Sequence, residues 1–304
     1  MSVRGQALRW LLLLLTPGLL APARAETAVA GLAIAGTSAR LQGGLGGELQ
    51  IAALSGLGLR WRLETESDGP GLRLLGTAEG VALRVAASPA TDGQGWTWRI
   101  VEGTADVARL LPVLKTAAGA AAGDWQAGGQ VVLSGEGRWS TAAAAEGLSG
   151  EVRLTLREGW ASSAVLGVEI AGIEADLASR EPATLAMAAG QSLRVARIST
   201  ASVVAEKLRV DFGLTDGRRV EVAGAEVAVL GGTMRVKPFS FALAAPSAEA
   251  SADVEGLALS ELAKLMPEAL SGAQGKLNGR LKLSWNGDAG LSITRALPLR
   301  PITM

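Results

Sequence analysis

Few side chains in this 304-residue sequence could do chemistry, because it contains no histidine, cysteine or tyrosine. Without histidine and cysteine, a Ser-His-Asp or Cys-His catalytic site is excluded, and so is a zinc site with imidazole or thiolate ligands. A disulfide framework is excluded as well, and no histidine can switch its charge near neutral pH. Any metal ion would have to be held by oxygen ligands alone.

Two groups of charged residues could bind a ligand. Glu64, Glu66 and Asp68 are spaced so that their oxygens could hold calcium, but a solvated strand end and turn explains the same pattern better. Arg218 and Arg219 could hold a carboxylate, but neighbouring strand residues point to opposite faces, which disfavours a shared clamp. We therefore expect both groups to be solvated.

The remaining candidates are hydroxyl nucleophiles and a phosphate loop. Ser162-Ser163 and Thr37-Ser38 have no general base nearby in the sequence. The glycine-rich stretch 43–47 is not followed by the Gly-Lys-Ser/Thr of a phosphate loop, so we expect a flexible turn there. We therefore expect no enzyme, no catalytic residue, no cofactor and no metal ion.

Residues 1–25 have the features of a secretory signal peptide. Arg4 and Arg9 precede an apolar stretch, and a small-x-small cleavage site at 23–25 would leave Glu26 as the first mature residue. The alternative is an uncleaved membrane anchor, although the apolar stretch is much shorter than the about 20 residues of a spanning helix. The segment contains basic residues and no acidic ones, so the rest of the chain is slightly acidic, which argues against nucleic acid as a partner.

From about residue 28 onward, apolar and polar residues alternate in short runs between glycine-rich turns. Successive strand residues point to opposite faces, so the pattern predicts an antiparallel sheet with one apolar and one charged face. We expect most of the tryptophans to lie in a core. The apolar face would be lined by Leu57, Leu59, Leu83, Val131, Leu133, Val152, Leu154, Leu156, Leu208, Val210, Phe212, Leu281 and Leu283.

Something must cover this apolar face, and three arrangements could do so. A second sheet would make a sandwich, closure of the sheet would make a barrel, and a curled, partly open sheet would leave a groove for an apolar ligand. The alternation alone favours a sandwich or a closed barrel over an open groove.

Two segments have helical rather than strand spacing, at 104–115 and 259–270. Ser260 is the expected N-cap of the second helix, and we expect Pro112 and Pro267 to kink or shorten their helices. In both copies a Val-Glu-Gly tripeptide precedes the helix, and a glycine-rich turn and a strand ending in Trp139 or Trp285 follow it. The order predicts a divergent internal repeat.

The stretch 229–241, with the sequence VLGGTMRVKPFSF, resembles a motif of the YdbH family of AsmA-like envelope proteins, which also carries the label of a dicarboxylate transport domain. Residues 254–265 and 272–283 resemble the connecting helix and the next groove strand of that family, and 101–139 resembles the same unit one repeat earlier. Residues 168–177 resemble its strand-turn element. The resemblance covers roughly residues 100–295.

The resemblance implies a mainly β fold, in which an extended, twisted antiparallel sheet curls into an open apolar groove with two short helices. It implies a non-enzymatic protein of the Gram-negative periplasm that carries phospholipid acyl chains between the inner and outer membranes. The partners would be phospholipid and proteins at both membranes, among them an outer-membrane lipoprotein. Two alternatives stay open: a structural envelope scaffold with a dry sandwich core, and a small-carboxylate binding protein.

The expected organisation has four parts. A signal peptide at 1–25 precedes an N-terminal β segment at 26–100, a β-groove repeat with its connecting helix at 101–253, and a second repeat at 254–304 that is cut short. About fifteen to eighteen strands at about 4.8 Å spacing would give a groove of roughly 70–85 Å, which is shorter than a complete bridge between two membranes.

Overall fold

The fold is described from a computed structural model of the chain. The structure describes residues 45–48, 60–65, 71–93, 95–118, 124–139, 148–182, 186–215, 218–242, 247–265, 272–286, 290–295 and 300–302.

Seventeen strand segments and two helices make up the described part of the chain. In chain order they are β1 (Leu45–Glu48), β2 (Arg60–Thr65), β3 (Leu72–Ala78), β4 (Val81–Pro89), β5 (Trp96–Asp106), α1 (Val107–Ala118), β6 (Gln126–Trp139), β7 (Leu148–Ser163), β8 (Val168–Ser179), β9 (Met187–Thr200), β10 (Val204–Thr215), β11 (Arg219–Val229), β12 (Gly232–Val236), β13 (Phe239–Ala242), β14 (Ser247–Ala258), α2 (Leu259–Leu265), β15 (Lys276–Asn286), β16 (Gly290–Arg295) and β17 (Arg300–Ile302).

From β1 to β12 each strand pairs antiparallel with the next strand along the chain, and the pairings β12–β14 and β14–β15 continue this meander. Two of its strands are interrupted: β12 and β13 both pair with β11, and β16 and β17 both pair with β15. Within the described residues no pairing joins the first and last segments, so the sheet is open. The predicted mainly β fold with an open sheet and two short helices is confirmed. The sandwich or barrel favoured by the alternation alone is wrong, because the described strands form one sheet that is not closed.

Glycines on the apolar face allow the sheet to curl sharply. Gly137 of β6 lies opposite Gly150 of β7. A Cβ added to Gly137 would come within 2.7 Å of the Cα of Gly150 and would also meet the carbonyl oxygen of Ser149. Only glycine tolerates such a close approach of two backbones. Glycines of this chain therefore allow close contact between neighbouring strands, in addition to forming turns.

A second device bends the sheet along a line that crosses several strands. Gly129 of β6, Glu158 of β7, Gly172 of β8 and Lys207 of β10 all have a left-handed backbone, with φ of 128°, 52°, 66° and 55°. The register shifts between β6 and β7, between β7 and β8, and between β10 and β11 at this line, as expected for β-bulges. We call these four residues the bend line.

The bend line keeps apolar residues on one face of the sheet. Ile170 and Ile173 are three positions apart in β8, which in a regular strand would place them on opposite faces. Both are buried, because the left-handed Gly172 between them changes the phase of the alternation. The apolar face therefore continues across the bend.

Helix α1 begins at Val107, three residues later than expected, because Thr104–Asp106 still belong to β5. The side chain of Asp106 caps the helix and accepts a hydrogen bond of 2.8 Å from the N–H of Ala108. Pro112 does not end the helix, which continues to Ala118. The proline therefore does not shorten the helix, and the alternative that it kinks the helix stays a prediction.

Helix α2 spans Leu259–Leu265, and its first residue precedes Ser260. The predicted N-cap role of Ser260 is therefore wrong, and the N–H of Leu259 instead donates to the carbonyl of Gly275 at 3.0 Å. Pro267 and the rest of the predicted helix to residue 270 lie outside the described residues.

Both helices connect strands on the same side of the sheet, where β5 and β14 end and β6 and β15 begin. We call this row of strand ends the helix edge. The opposite row of strand ends, with the β4–β5 and β6–β7 connections, is the loop edge. Before each helix the Val-Glu-Gly tripeptide forms a bulge, since the register shifts between Ile100 and Thr104 in β5 and between Val254 and Leu257 in β14. The two strand-helix-strand units thus share a local geometry. The division into repeats at 101–253 and 254–304 stays a prediction.

The glycine-rich stretch 43–47 differs from the expected flexible turn. Its described part belongs to β1 (Leu45–Glu48), which pairs with β2 so that Gly47 lies opposite Trp61.

Candidate functional site

An unbroken row of apolar residues crosses the sheet from β4 to β15. Residues directly opposite each other in an antiparallel pair lie on the same face, so the register defines the row strand by strand. At about 4.8 Å per strand it is about 48 Å long. Its members are Val81, Ala105, Val131, Leu156, Ala175, Leu193, Val210, Ala225, Val236, Ala252 and Leu281.

The structure brings the described lining candidates together on this one face. Four of them, Val131, Leu156, Val210 and Leu281, belong to the row. Seven others lie two or more positions from the row in the same strands and on the same face: Leu83, Leu133, Val152, Leu154, Leu208, Phe212 and Leu283. Leu57 and Leu59 lie outside the described residues.

Access to the apolar face changes along the sheet. From β4 to β7 its side chains are half-buried, among them Leu83, Ile100 and Leu154. From β8 to β11 they are closed off, and Leu193 and Val195 are only 3% and 2% exposed. In β15 the described side chains Leu281 and Leu283 are half-buried again. The face is therefore accessible on both sides of a closed centre.

Helix α1 and Trp125 close the helix edge near β6. Val107 of the helix and Trp125, which is 3% exposed, belong to the same buried cluster as Ala127, Ala161 and Val168. No such helix covers the loop edge of these strands among the described residues, since α1 contacts β5 and β6 from the other edge. The two edges of the half-buried region therefore differ.

A polar network fixes this closure. Asp124, next to Trp125, accepts hydrogen bonds from the hydroxyl of Ser163 at 2.6 Å and from the N–H of Val165 at 2.9 Å. The same hydroxyl accepts a hydrogen bond from the N–H of Leu166. These contacts lower the pKa of Asp124, and the hydrogen bond from Ser163 is the largest cause. The network ties the segment after α1 to the β7–β8 turn.

Three tryptophans mark the loop edge of the half-buried region. Trp96 of β5 lies directly opposite Trp139 of β6, and Trp98 lies opposite Gly137. A Cβ added to Gly137 would come within 2.8 Å of the ring of Trp98, so the indole lies over this glycine on the apolar face. Trp139 is 50% exposed. We call Trp96, Trp98 and Trp139 the tryptophan group.

The opposite face of the sheet carries ion pairs between neighbouring strands, with N–O distances of 2.8–4.0 Å. Their side chains are largely exposed, so each pair contributes little to stability. The charges keep this face wetted and favour the observed register. The pairs are Arg84–Glu102, Arg99–Glu136, Arg153–Asp176, Arg157–Glu174, Arg197–Glu206, Arg235–Glu226, Arg235–Glu255, Lys237–Asp253 and Arg280–Asp253.

Three residues of the charged face have shifted pKa values. The pKa of Arg235 is raised by its hydrogen bonds to Glu255 and then Glu226, and the other two residues are Asp253 and Arg209. The pKa of Asp253 is lowered, chiefly by the hydrogen bond from Arg280 at 2.8 Å and then by Lys237. The pKa of Arg209 is raised by its hydrogen bonds to Asp211. All three shifts favour the charged forms, so this face stays ionised at neutral pH.

The hydroxyl and charged residues considered as candidates from the sequence do not form a reactive or metal-binding group among the described residues. Ser163 is buried and donates its hydroxyl hydrogen to Asp124. Arg219 donates to the hydroxyl of Ser240, while Arg218 lies in the preceding turn. Glu64 lies opposite Arg73 in the β2–β3 pair, and Glu66 and Asp68 lie outside the described residues. Within the described part of the chain, no cluster of acidic side chains could hold a metal ion.

Sequence reasoning missed two features of this region. Trp125 is the only tryptophan that is fully buried among those whose side chains are described, whereas most were expected in the core. The hydrogen bonds of Asp124 were also missed, because its partners Ser163 and Val165 are 39 and 41 residues away in the sequence and no local pattern signals such a contact.

A family model matches residues 4–297, nearly the whole chain, and its description is "YdbH-like: Intermembrane phospholipid transport protein YdbH". The chain belongs to the YdbH-like family. The resemblance inferred from the motifs at 229–241 and 254–283 is thereby confirmed. The family is one of lipid transport proteins and not of enzymes, and its intermembrane role points to the cell envelope.

Neither curated proteins nor solved structures gave a match to this member of the YdbH-like family. Across the described residues, no helix is both long and apolar enough to cross a membrane. Two observations thus bear on function, namely the family match and the open sheet with its apolar face.

Proposed function

We propose that this protein carries phospholipid acyl chains along the apolar face of its sheet, between the inner and outer membranes, without catalysing a reaction. The observation that carries this proposal is the unbroken row from Val81 to Leu281, to which each of β4–β12, β14 and β15 contributes an apolar side chain. The family description supports phospholipid as the cargo.

The mechanism needs only burial of the acyl chains. Each methylene that moves from water onto an apolar surface gains about 0.8 kcal/mol, so a lipid stays on the sheet as long as its chains remain covered. Where the row is accessible, from β4 to β7, neighbouring positions offer similar apolar side chains, so a chain can move between these strands without a deep minimum at any one of them. Passage across β8–β11 requires the closed centre to open, because its side chains are buried. The polar headgroup stays in water at an edge of the sheet.

Adjacent valines on opposite faces allow a matched test. Val131 lies on the apolar face, and Val132, which is 41% exposed, lies on the charged face of the same strand. We expect V131D to lower the phospholipid that copurifies with the full chain severalfold, because a carboxylate at this position must be desolvated by an acyl chain. V132D should retain the wild-type amount.

The readout is lipid mass spectrometry on protein purified from the envelope, normalised to protein and accompanied by far-UV circular dichroism. Folded V131D with wild-type lipid content would contradict the proposal. If V131D does not fold, the neutral pair V131N and V132N gives the same comparison at a lower cost to folding.

A second function, that of a structural scaffold, is favoured by the closed centre of the sheet. Leu193 and Val195 are only 3% and 2% exposed, as side chains in the core of a globular protein are. A scaffold predicts no copurified lipid in wild-type protein, whereas a carrier predicts bound phospholipid. The same mass spectra therefore separate the two functions.

We also propose the surroundings in which the protein acts. Residues 1–25 would direct export and be cleaved after residue 25, leaving the protein in the periplasm. The partners would be phospholipid and proteins at each membrane, including an outer-membrane lipoprotein. Mass determination of the mature N-terminus tests the cleavage, with Glu26 as the expected first residue.

A further inference from the structure

The indole N–H of Trp98 has no hydrogen-bond acceptor among the described residues, although the atom is buried. A buried donor without an acceptor costs about 1–3 kcal/mol, so proteins rarely leave one without a reason. The ring itself is only half-buried and lies over Gly137 on the apolar face. It can therefore tilt toward an acceptor that arrives from that face.

The surroundings of Trp98 match the boundary between hydrocarbon and water. Trp96 and Trp139 flank it at the loop edge, and Trp139 is half-exposed. Toward the helix edge, the same face continues with Ile100, Leu154 and further apolar residues. Indoles are favoured at such boundaries because they combine a large apolar surface with one hydrogen-bond donor.

The dimensions fit an acyl chain that lies parallel to the strands. From Trp139 to Val131, β6 runs about 27 Å at about 3.4 Å per residue. A single leaflet of a membrane has a hydrocarbon thickness of about 15 Å. Because α1 and Trp125 close the helix edge, we place the polar end of such a lipid at the loop edge.

We propose that the tryptophan group binds the glycerol-ester region of a diacyl phospholipid, whose acyl chains run along β4–β7 toward α1, and that Trp98 donates its indole hydrogen to an ester carbonyl. This inference rests on the proposed function and specifies where on the sheet one lipid molecule binds. The closed strands β8–β11 bound this position on one side.

The charges near the tryptophan group favour a neutral ester over a free fatty acid. Arg138, next to Trp139, donates to both carboxylate oxygens of Asp92 at 2.5 and 2.7 Å. Its charge is therefore already balanced, and it lies on the opposite face from the tryptophans. A carboxylate headgroup would need a cation, whereas an ester carbonyl needs only a donor such as the N–H of Trp98.

Fluorescence quenching by brominated phosphatidylcholine tests the position of the lipid. Three full-length variants each retain one tryptophan, namely Trp98, Trp125 or Trp160, with the others changed to Phe. Bromines near the ester should quench Trp98 at least twofold more than bromines near the chain end. The order should reverse for Trp125, and Trp160, 44% exposed on the charged face, should respond to neither.

A single substitution tests the hydrogen bond. W98F keeps an aromatic ring and removes the donor, so we expect about fivefold weaker binding of phosphatidylcholine, the effect of one hydrogen bond. W160F should bind like wild type. Equal affinities of W98F and wild type would overturn the role of the N–H.

Photoreactive phosphatidylcholine on the wild-type protein replaces the fluorescence test if the single-tryptophan variants do not fold. A diazirine near the ester should label β5 and β6 around Trp98 and Gly137. Lipid binding with labels only on β12–β15, or equal quenching of Trp98 and Trp160, would overturn this inference and leave the proposed function intact. No lipid binding to wild type at all would overturn the proposed function itself.

Discussion

Gly172 of β8 lies directly against Ala196 of β9: a Cβ added to Gly172 would come within 2.5 Å of the Cβ of Ala196. The same glycine has a φ of 66° and is the point at which β8 bends. Close approach and left-handed backbone thus coincide in one residue. A substitution of Gly172 therefore combines two costs, backbone strain and steric overlap. Gly167 has the left-handed backbone without the close neighbour, so comparing the two glycines separates these costs.

We expect G172A to destabilise the protein more than G167A. Gly167 also has a left-handed φ, of 59°, but nothing lies within 4 Å of its added Cβ. G167A should therefore cost only the backbone strain, about 1–2 kcal/mol, while G172A should add about 1–3 kcal/mol for overpacking. Urea denaturation of both variants measures the difference, and equal midpoints would show that β8 and β9 are not in contact there.

Replacing Lys207 by glycine should stabilise the protein. Lys207 holds a φ of 55° in the β10 bulge, which a residue with a Cβ adopts at a cost. K207G should gain about 0.5–1 kcal/mol in the free energy of unfolding. K282G, in the regular part of exposed β15, should instead lose about 0.5–1 kcal/mol. A loss of stability in K207G would mean that the bulge is not formed.

The two faces of the sheet could be predicted because alternation is a local property. Leu208, Val210 and Phe212 share a face in any extended strand, whatever it packs against. The bend line could not be predicted, because Glu158 and Lys207 are not residue types that favour a left-handed backbone. Only the tertiary fold holds them there.

The solvent exposure of the apolar face could not be predicted from the sequence either. Leu154 and Leu193 occur in similar alternating runs, yet the first is half-buried and the second is 3% exposed. The difference arises from how the sheet curls, which depends on bulges and on α1 rather than on either strand. For the same reason the pattern favoured a sandwich, since alternation within each strand cannot reveal how the strands are arranged together.

This contrast predicts different costs for the same truncation. L193A removes a side chain from a closed part of the face and should cost about 2–5 kcal/mol, because a cavity remains. L154A removes a half-buried side chain and should cost about 1–2 kcal/mol. The free energies of unfolding from urea titrations test this order. Similar costs at both positions would contradict the closed centre.

The lowered pKa of Asp253 predicts how stability depends on pH. Arg280 and Lys237 hold its carboxylate in the ionised form, so its pKa in the folded protein lies below the value near 3.9 of an unfolded chain. Its contribution to stability is therefore complete above about pH 4 and is lost as the pH falls through the folded pKa. Both cations stay charged throughout this range.

D253N removes this contribution at every pH, so its melting temperature should fall less steeply than that of wild type between pH 5 and about pH 3. E249Q is the matched control in the same strand, since among the described residues no cation forms a salt bridge with Glu249. It should retain more of the wild-type slope, because the pair of Asp253 with Arg280 is intact. Parallel curves for wild type and D253N would show that these hydrogen bonds do not form in solution. The result also concerns the apolar face of the sheet. On the charged face, Asp253 of β14 pairs with Arg280 of β15 and so favours the observed register. The same register places Ala252 opposite Leu281 on the apolar face.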